Sequence, residues 1–344
     1  MQLADRAPAI AVASEGPDGG AVTVFDPTWD SLAETDGLAG ALSLAVHPSG
    51  RVAYVADGVG ELISIAVPGW EVVGRQPSGG GLPCALAVDP SGRFVVTAHY
   101  LSADLAVHPI GADLTLGPLA AERHHEGSGP VAGRQDTAHL HHVAFDPAHG
   151  TAVVTDLGAD RLYEYAVDAD GRPDVVDEVA APGGSGPRHS VFGANGDLFV
   201  SDELSSTLSR YRRDDTGRLR WIEAVSTRET DDGAENYPSE LVLGPGVVYL
   251  ANRGRDTIAV IDVTGPRLEL VQEQPCGGAL PQHLAAQGGQ LLCANRQSDT
   301  ITALPIDDTG RLGPPVAVAE LTGPCWILPL REPAPEPLPG GRTS

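Results

Sequence analysis

The sequence lacks the features that mark helical or membrane-spanning proteins. Methionine occurs once and phenylalanine five times in 344 residues, whereas glycine occurs 42 times and proline 29 times. No apolar run approaches the ~20 residues that a membrane-spanning helix needs, and no long stretch repeats apolar residues at the helical period. Short apolar stretches are instead separated by turn residues throughout. These absences argue against a membrane helix and predict an all-β chain.

Basic side chains are scarce. The chain has 22 of them against 46 acidic side chains, for a formal net charge of −24 at pH 7. A field of this sign repels nucleic acid and anionic membrane surfaces, so we expect neither as a partner. A bound anionic substrate would need a local cluster of arginine or histidine that opposes the overall charge. Any such cluster is therefore informative about function.

Cysteine is rare and forms no motif. The four cysteines, Cys84, Cys276, Cys293 and Cys325, are far apart and make no CxxC pair. We expect them to be buried, reduced thiols. The N-terminal stretch MQLADRAPAIAVASEG lacks the basic segment and long apolar core of a signal peptide. We therefore expect the protein in the cytoplasm.

The sequence does contain an internal repeat. Segments such as VHPSGRVAYVADG (46–58), VDPSGRFVVTAHY (88–100) and LGPGVVYLANR (243–253) join a strand end, a turn and an apolar strand that ends in a polar residue. A further apolar strand follows each of them. The equivalent polar positions are Ser14, Asp57, His99, Asp156, Asp202, Asn252 and Asn295. We expect the Asp and Asn side chains among these to hydrogen-bond turn backbone.

The repeat spacing of about 40 to 50 residues is the period of propeller blades. One interval is longer because of an insertion around 111–138. The first copy lacks its first strand, and GPCWILPL (323–330) matches the first strands of the other copies. The sequence therefore predicts a single all-β domain over 1–330, a seven-bladed β-propeller closed by a C-terminal strand that completes the first blade. We expect the Pro-rich segment 331–344 to be a disordered tail.

Polar residues converge where the first strand of each blade begins and the second ends, because antiparallel neighbours place these ends together. Alignment of the repeats brings a cluster of nine residues to one mouth of the channel: His141, His142, Arg188, His189, Glu203, Glu240, Arg253, His283 and Arg296. The three arginines would bind a carboxylate or phosphate through charge-assisted hydrogen bonds. The alternative is a wet channel whose polar groups serve only the strand ends.

A metal site is a second alternative at this mouth. Consecutive blades supply candidate ligands suited to zinc or a similar ion: His142, His189, Glu240 and His283. However, the neighbouring arginines would oppose a cation, and no compact ligand spacing supports a metal. We therefore expect neither a metal nor a cofactor. His124 and His125 lie in the polar insertion, where we expect them to be solvated.

Several segments resemble those of a known family. They are GSGPVAGRQDTAHLHHVAFDP (127–147), TDLGADRLYEY, GPRHSVF, SDELSSTLSRY, NYPSELVL, ANRGRDTIAVID and LPQHLAA. Through them, and through the blade rhythm over nearly the whole chain, the sequence is similar to the seven-bladed β-propeller lactonases. This family includes propeller-type 6-phosphogluconolactonases and carboxy-cis,cis-muconate cyclases. Departures occur at SDELSS, where the family usually reads NELSS, at HLHH, and in blades one to three.

The resemblance implies a channel site with one histidine, two arginines and one glutamate at its centre. Matched residue by residue, the catalytic residues are His141, Arg188, Glu203 and Arg253. The substrate-binding candidates, from the resemblance and the repeat alignment together, are His139, His142, His189, Glu240, His283 and Arg296. Which of the three histidines at 139–142 faces the ligand depends on strand register, because a slip of one residue exchanges the faces.

The implied activity is metal-independent acid–base hydrolysis of a sugar lactone, with 6-phosphogluconolactone as a candidate substrate. His141 or a neighbouring histidine would activate water. Arg188 and Arg253 would hold the anionic group and stabilise the carbonyl oxygen, while Glu203 would orient a neighbour or act as an acid. The expected partner is a small anionic lactone or sugar-derived compound.

Two alternatives remain open at this point. One is a lactone-forming cyclase that acts on an unsaturated dicarboxylate of the muconate type. The other is a non-catalytic propeller that binds a ligand or a protein, since propellers host many functions. The sequence sets no oligomeric state.

Overall fold

The structure is a computed structural model of the chain, and it describes residues 9–330. This range forms 28 β-strands in seven four-stranded antiparallel sheets and contains no α-helix. The predicted seven-bladed β-propeller is therefore confirmed. Within the described range, no helix is long and apolar enough to span a membrane. The predicted disordered tail, 331–344, lies outside the described residues.

In each blade, the first strand named lies at the channel and the fourth lies at the outer edge. Blade 1 contains β28 (Pro324–Pro329), β1 (Ile10–Gly16), β2 (Gly19–Phe25) and β3 (Ser31–Leu38). Blade 2 contains β4 (Ala41–Val46), β5 (Val52–Asp57), β6 (Glu61–Ala66) and β7 (Val72–Pro77). Blade 3 contains β8 (Pro83–Val88), β9 (Phe94–His99), β10 (Asp104–Pro109) and β11 (Ala121–His124).

The remaining blades follow the same order. Blade 4 contains β12 (Leu140–Phe145), β13 (Ala152–Asp156), β14 (Arg161–Val167) and β15 (Pro173–Ala180). Blade 5 contains β16 (Pro187–Phe192), β17 (Leu198–Asp202), β18 (Thr207–Arg213) and β19 (Leu219–Ser226). Blade 6 contains β20 (Tyr237–Leu243), β21 (Val247–Arg253), β22 (Thr257–Asp262) and β23 (Glu269–Pro275). Blade 7 contains β24 (Pro281–Gln287), β25 (Gln290–Asn295), β26 (Thr300–Pro305) and β27 (Val316–Glu320).

The second strand of a blade is buried on both faces because neighbouring blades pack against it. All six residues of β5, VAYVAD, and of β9, FVVTAH, are buried. This explains the short continuous apolar runs of the repeat. In a half-exposed strand, apolar and polar residues would alternate instead. The polar residue at the end of a run bonds nearby backbone in some blades and side chains in others, since Asp202 accepts hydrogen bonds from the hydroxyl groups of Thr207 and Ser209. As predicted, Asp57 accepts hydrogen bonds from the backbone N–H of Ala39 and Val59, and Asp156 accepts them from His139 and Gly158.

The two ends of the described chain close the ring within blade 1. Strand β28 pairs antiparallel with β1, so that Val12 lies opposite Ile327. Both side chains are buried in a cluster shared with blade 7, which includes Ala285 and Leu292. Closure removes the open sheet edge that the first blade would otherwise present. The predicted role of the C-terminal strand is confirmed.

Every innermost strand carries a register shift at the same place, near one end of the channel. The shifts fall between Ala41/Ser43, Pro83/Ala85, Leu140/His142, Pro187/Ser190, Pro238/Leu241 and Pro281/His283, and opposite Ala13/Ser14 in blade 1. Each is a β-bulge, in which one extra residue is left without a pairing partner and the strand bends. Consecutive side chains at a bulge therefore do not simply alternate between the two faces of the sheet. The bulge is the element that aims side chains at the channel mouth.

Closure makes a stability prediction. We expect Ile327→Ala to lower the free energy of unfolding by about 2 to 5 kcal/mol, because it opens a cavity in the seam between blades 1 and 7. Val316→Ala, on the outer strand β27, is a suitable control because Val316 is 60% exposed. Chemical denaturation of both variants measures the difference. Equal stabilities would contradict a packed closure.

Candidate active site

One end of the channel holds a cavity of about 370 Å³. Seven of the predicted site residues line it: His141, Arg188, His189, Glu203, Arg253, His283 and Arg296. The bulge residues of six blades also reach it: Leu42, Cys84, His141, Arg188, Gln282 and Cys325. The ends of the second strands also contribute side chains to the cavity. Arg253 is the last residue of β21, and Glu203 and Arg296 directly follow β17 and β25. The repeat alignment thus predicted most of this convergence.

A single carboxylate organises the arginines of the cavity. Oε2 of Glu203 lies 2.9 Å from Nε of Arg188 and also contacts Nη2 of Arg253. Oε1 of Glu203 accepts a hydrogen bond from Nη2 of Arg134. The Glu203 side chain is only 6% exposed. One buried carboxylate therefore holds three guanidinium groups.

This cluster sets the charge state of its members. Burial alone would raise the pKa of Glu203, but the charges of Arg253 and Arg188 outweigh it and lower the pKa to about 2. Burial, together with the charge of Arg253, lowers the pKa of Arg188 to about 10. At neutral pH the carboxylate is ionised and the guanidinium is protonated. The wall of the cavity around Glu203 is therefore positive.

Histidines form a second, neutral group beside this cluster. The ring of His189 lies 5.4 Å from that of His141, measured between centroids, and stacks on that of His142 at 4.3 Å. Oε2 of Glu240 lies 2.7 Å from Nδ1 of His189 and 3.1 Å from Nε2 of His283. Burial is the main cause that lowers all four histidine pKa values, to about 3 for His142 and about 4 for His283.

His141 is the histidine that meets both groups. Burial and the charge of Arg188 hold its pKa well below the usual value. Its Nδ1 is buried, and no group within residues 9–330 hydrogen-bonds to it. A neutral imidazole is a proton acceptor at physiological pH. The arrangement therefore provides a base that is unprotonated before any ligand arrives.

Three predicted site residues lie beside the cavity rather than in its lining. His139 stacks on the ring of Tyr100, with centroids 4.4 Å apart, and its Nδ1 lies 2.9 Å from the Tyr100 carbonyl oxygen. His142 and Glu240 contact the histidines that line the cavity. The bulge at Leu140/His142 explains why neighbouring residues of one strand, His141 and His142, both lie near the mouth.

Sequence reasoning missed Arg134, which lines the cavity and contacts Glu203. It lies in the insertion between β11 and β12, where the blade repeat offers no equivalent position. The adjacent Gln135 is fully buried, and its Nε2 donates to the Leu157 carbonyl and to Oδ1 of Asp160. The insertion also places His125 differently from expectation: it is buried, with Nε2 against the Tyr165 hydroxyl, whereas the side chain of His124 is 61% exposed. The insertion is polar and has no repeat partner, so its sequence does not indicate which of its side chains are buried.

The opposite wall of the cavity differs in character. It contains Leu42 and Leu82, together with a pair in which Arg296 donates to Glu15 at 2.7 Å, whereas Tyr100 lies beside His141, with ring centroids 5.7 Å apart. The cysteines of the cavity are reduced, but burial raises the pKa of both Cys84 and Cys325 to about 12. A thiol with such a pKa is a poor nucleophile at neutral pH. Covalent catalysis by cysteine is thus disfavoured.

The metal alternative finds no support in this geometry. Among residues 9–330, no group of three or more histidine, cysteine, aspartate or glutamate side chains is arranged to hold a metal ion. Oε2 of Glu240 lies close to Nδ1 of His189 and to Nε2 of His283, and the nearby charges of Arg188 and Arg253 act on His189 and would oppose a cation there. The ionisable groups that line this mouth are imidazole, guanidinium, carboxylate, thiol and phenol side chains.

The cluster around Glu203 predicts a pH-dependent stability. Because the folded-state pKa is below the unfolded value, the carboxylate contributes stability that is present above about pH 4.5 and is lost as the pH falls towards 2. We expect Glu203→Gln to lose about 3 kcal/mol of unfolding free energy at pH 7 and clearly less at pH 3. Urea denaturation at both values measures this. Glu61→Gln, at a half-exposed surface pair, is the control; a Glu203→Gln deficit that stays constant with pH would implicate packing instead.

Comparison with known proteins identifies the family of the chain. The family model of seven-bladed β-propeller lactonases matches residues 26–329. A 6-phosphogluconolactonase of Bacillus subtilis is 30% identical over 302 residues, covering 85% of this chain and 84% of that protein. One from Formosa agariphila is 26% identical over 323 residues, covering 86% and 91%. The structure of a periplasmic gluconolactonase of Pseudomonas aeruginosa shares the fold, with a TM-score of 0.85 at 23% identity, covering 93% of this chain and 98% of that one. The chain belongs to the seven-bladed β-propeller lactonase family.

Proposed function

We propose that this protein hydrolyses a sugar lactone carrying an anionic group, by metal-independent acid–base catalysis in the channel cavity. The observation that carries the proposal is the buried ring of His141, whose Nδ1 has no hydrogen-bond partner within residues 9–330, in the same cavity as the arginines that Glu203 holds. A volume of about 370 Å³ suits one small substrate of sugar size. The positive wall suits an anion despite the net charge of −24.

In this mechanism His141 accepts a proton from water while the water oxygen attacks the lactone carbonyl carbon. The carbonyl oxygen gains negative charge as the tetrahedral intermediate forms. The ring C–O bond then breaks, and the imidazolium of His141 returns the proton to the departing alkoxide. The water supplies the OH of a new carboxylic acid and the hydrogen of a new hydroxyl group, and the acid then ionises to a carboxylate by releasing one proton to solvent.

Arg188 and Arg253 stabilise the developing oxyanion. Arg188 is suited to this because Glu203 lies against its Nε, while its buried Nη1 has no hydrogen-bond partner in the described part of the chain. A donor that is fixed in place before the reaction needs no reorganisation when charge develops.

The sequence suggested two roles for Glu203, orienting a neighbour or acting as an acid, and we assign it the first. With a pKa of about 2 it is ionised at neutral pH and has no proton to donate to a leaving group. It therefore holds the arginines in place, and His141 serves as both base and acid. His189, His283 and Glu240 support this by keeping neighbouring rings in fixed contact.

The cytoplasmic location remains a prediction. The Pseudomonas aeruginosa protein with the same fold is a periplasmic enzyme, so the fold is compatible with either compartment. A small lactone is the partner that family membership supports, and its anionic, sugar-derived character belongs to the proposal.

Turnover by His141→Ala tests the function directly. We expect the wild-type protein to hydrolyse 6-phosphogluconolactone or gluconolactone in the presence of a chelator, and His141→Ala to lose about 100-fold or more in kcat. His139→Ala is the matched comparison, because the His139 ring stacks on Tyr100 but is not itself part of the cavity lining. We expect a much smaller loss of kcat in this variant. Absence of wild-type turnover on both lactones, or equal losses in the two variants, would contradict the proposal.

The pH profile gives an independent test of the base. Since the pKa of His141 is held well below its usual value, kcat/KM should stay level from pH 7.5 down past about 6.5, where a free histidine would become protonated. Initial rates corrected for spontaneous opening between pH 4.5 and 7.5 would measure this. A fall in kcat/KM centred near pH 6.5 would point to an exposed histidine instead.

A further inference from the structure

We propose that Arg134, which the insertion before blade 4 carries into the cavity, is the residue that selects lactones with an anionic substituent. This inference rests on the proposed hydrolysis and adds to it a division of labour among the arginines. Arg188 and Arg253 bind the reacting carbonyl oxygen, and Arg134 binds the anionic group at the other end of the substrate.

The positive charge of the cavity lining is unevenly distributed. The cavity lining contains four arginines and two glutamates. Arg296 and Glu15 neutralise each other on one wall through a contact of 2.7 Å. On the other wall three guanidinium groups share the one carboxylate of Glu203. The excess positive charge of the lining is therefore confined to the wall that contains Arg134, and it suits a group that carries two negative charges.

The three arginines around Glu203 lie at different depths in the cavity. The side-chain exposures of the three arginines around Glu203 rise from 4% for Arg188 to 16% for Arg253 and 38% for Arg134. Arg188 is thus the most deeply buried of the three, beside His141, and Arg134 is at the rim. A lactone whose carbonyl reaches the buried donor has its other end near the rim. An anionic substituent there would meet Arg134 first.

The loop that carries Arg134 is held in place by hydrogen bonds. Although Arg134 lies on a loop, the buried side chain of Gln135 fixes the loop to Leu157 and Asp160, and its Oε1 accepts the N–H of Val131. The guanidinium uses Nη2 for Glu203 and lies 5.9 Å from the ring centroid of Tyr237. Arginine has five N–H donors, and the partly exposed side chain leaves donors on the solvent side for a phosphate or carboxylate.

The experiment compares kcat/KM for 6-phosphogluconolactone and gluconolactone in the wild type and in Arg134→Ala. We expect the ratio of the two values to fall about tenfold or more, mainly through KM for the phosphorylated lactone, because a charge-assisted contact is lost. Arg134→Lys should restore part of the ratio, since it keeps the charge and loses the planar fork. An equal fall on both lactones, or no change, would overturn the inference.

Two controls match Arg134 in exposure and in having a glutamate partner. Arg296 and Arg75 both have side chains that are 38% exposed, Arg296 on the opposite wall of the cavity and Arg75 paired with Glu61 on the outer face of blade 2. Arg75→Ala should leave both kcat/KM values unchanged. Arg296→Ala combined with Glu15→Gln, which removes both charges of that pair together, should leave the ratio unchanged, whatever its effect on each value. Thermal melting of all variants separates misfolding from lost recognition.

Product binding distinguishes failure of this inference from failure of the proposed hydrolysis. Calorimetric titration with 6-phosphogluconate and gluconate requires no turnover. Weaker 6-phosphogluconate binding in Arg134→Ala, with gluconate binding unaffected, would support Arg134 as the anion-reading residue even if the wild type hydrolysed neither lactone. Retention of the wild-type preference for the phosphorylated acid would overturn it even if hydrolysis were demonstrated.

Discussion

The pairing of β28 with β1 is the constraint on which the rest of the molecule depends. It joins segments more than 300 residues apart in sequence, because the partner of Ala13 is Trp326. The thiol of Cys325 lies 2.8 Å from the carbonyl oxygen of Ala41, so the closing strand also contacts blade 2. Only a closed ring has a central channel, and only then do Glu15 from one end of the chain and Trp326 from the other border the same cavity.

Within the ring, one desolvated carboxylate determines the electrostatics of the cavity. The chain contains no lysine, so every basic side chain is an arginine. Planar guanidinium groups can share the two oxygens of a carboxylate from several directions. Glu203 makes use of this, with Arg188 and Arg253 at one oxygen and Arg134 at the other. Without it, three like charges would lie together in a buried site, which explains why the acidic residue is as important as the basic ones.

The same burial makes the histidines chemically useful. An exposed imidazole would be partly protonated near neutral pH. Here desolvation and the nearby arginines keep His141 neutral, and Glu240 contacts His189 and His283. A positive wall and an unprotonated base thus coexist because the positive wall lowers the proton affinity of the base. The proposed acid–base and anion-binding properties of the cavity both follow from desolvation and from the charges of the buried arginines.

The sequence by itself determined the number of blades, the closing strand and the wall on which His141, Arg188, Glu203 and Arg253 meet. It could do so because a repeat places equivalent residues at equivalent positions, and because the strand periodicity is local. The tertiary structure decided what no repeat encodes. The bulge in β12 brings His141 into the cavity lining and leaves His142 beside it, and an alternating strand pattern does not reveal bulges. Packing placed His139 against Tyr100 and brought Arg134 from the insertion to Glu203. Those contacts depend on where a loop without a repeat partner is anchored in three dimensions, which is decided by burial and hydrogen bonding with residues distant in sequence.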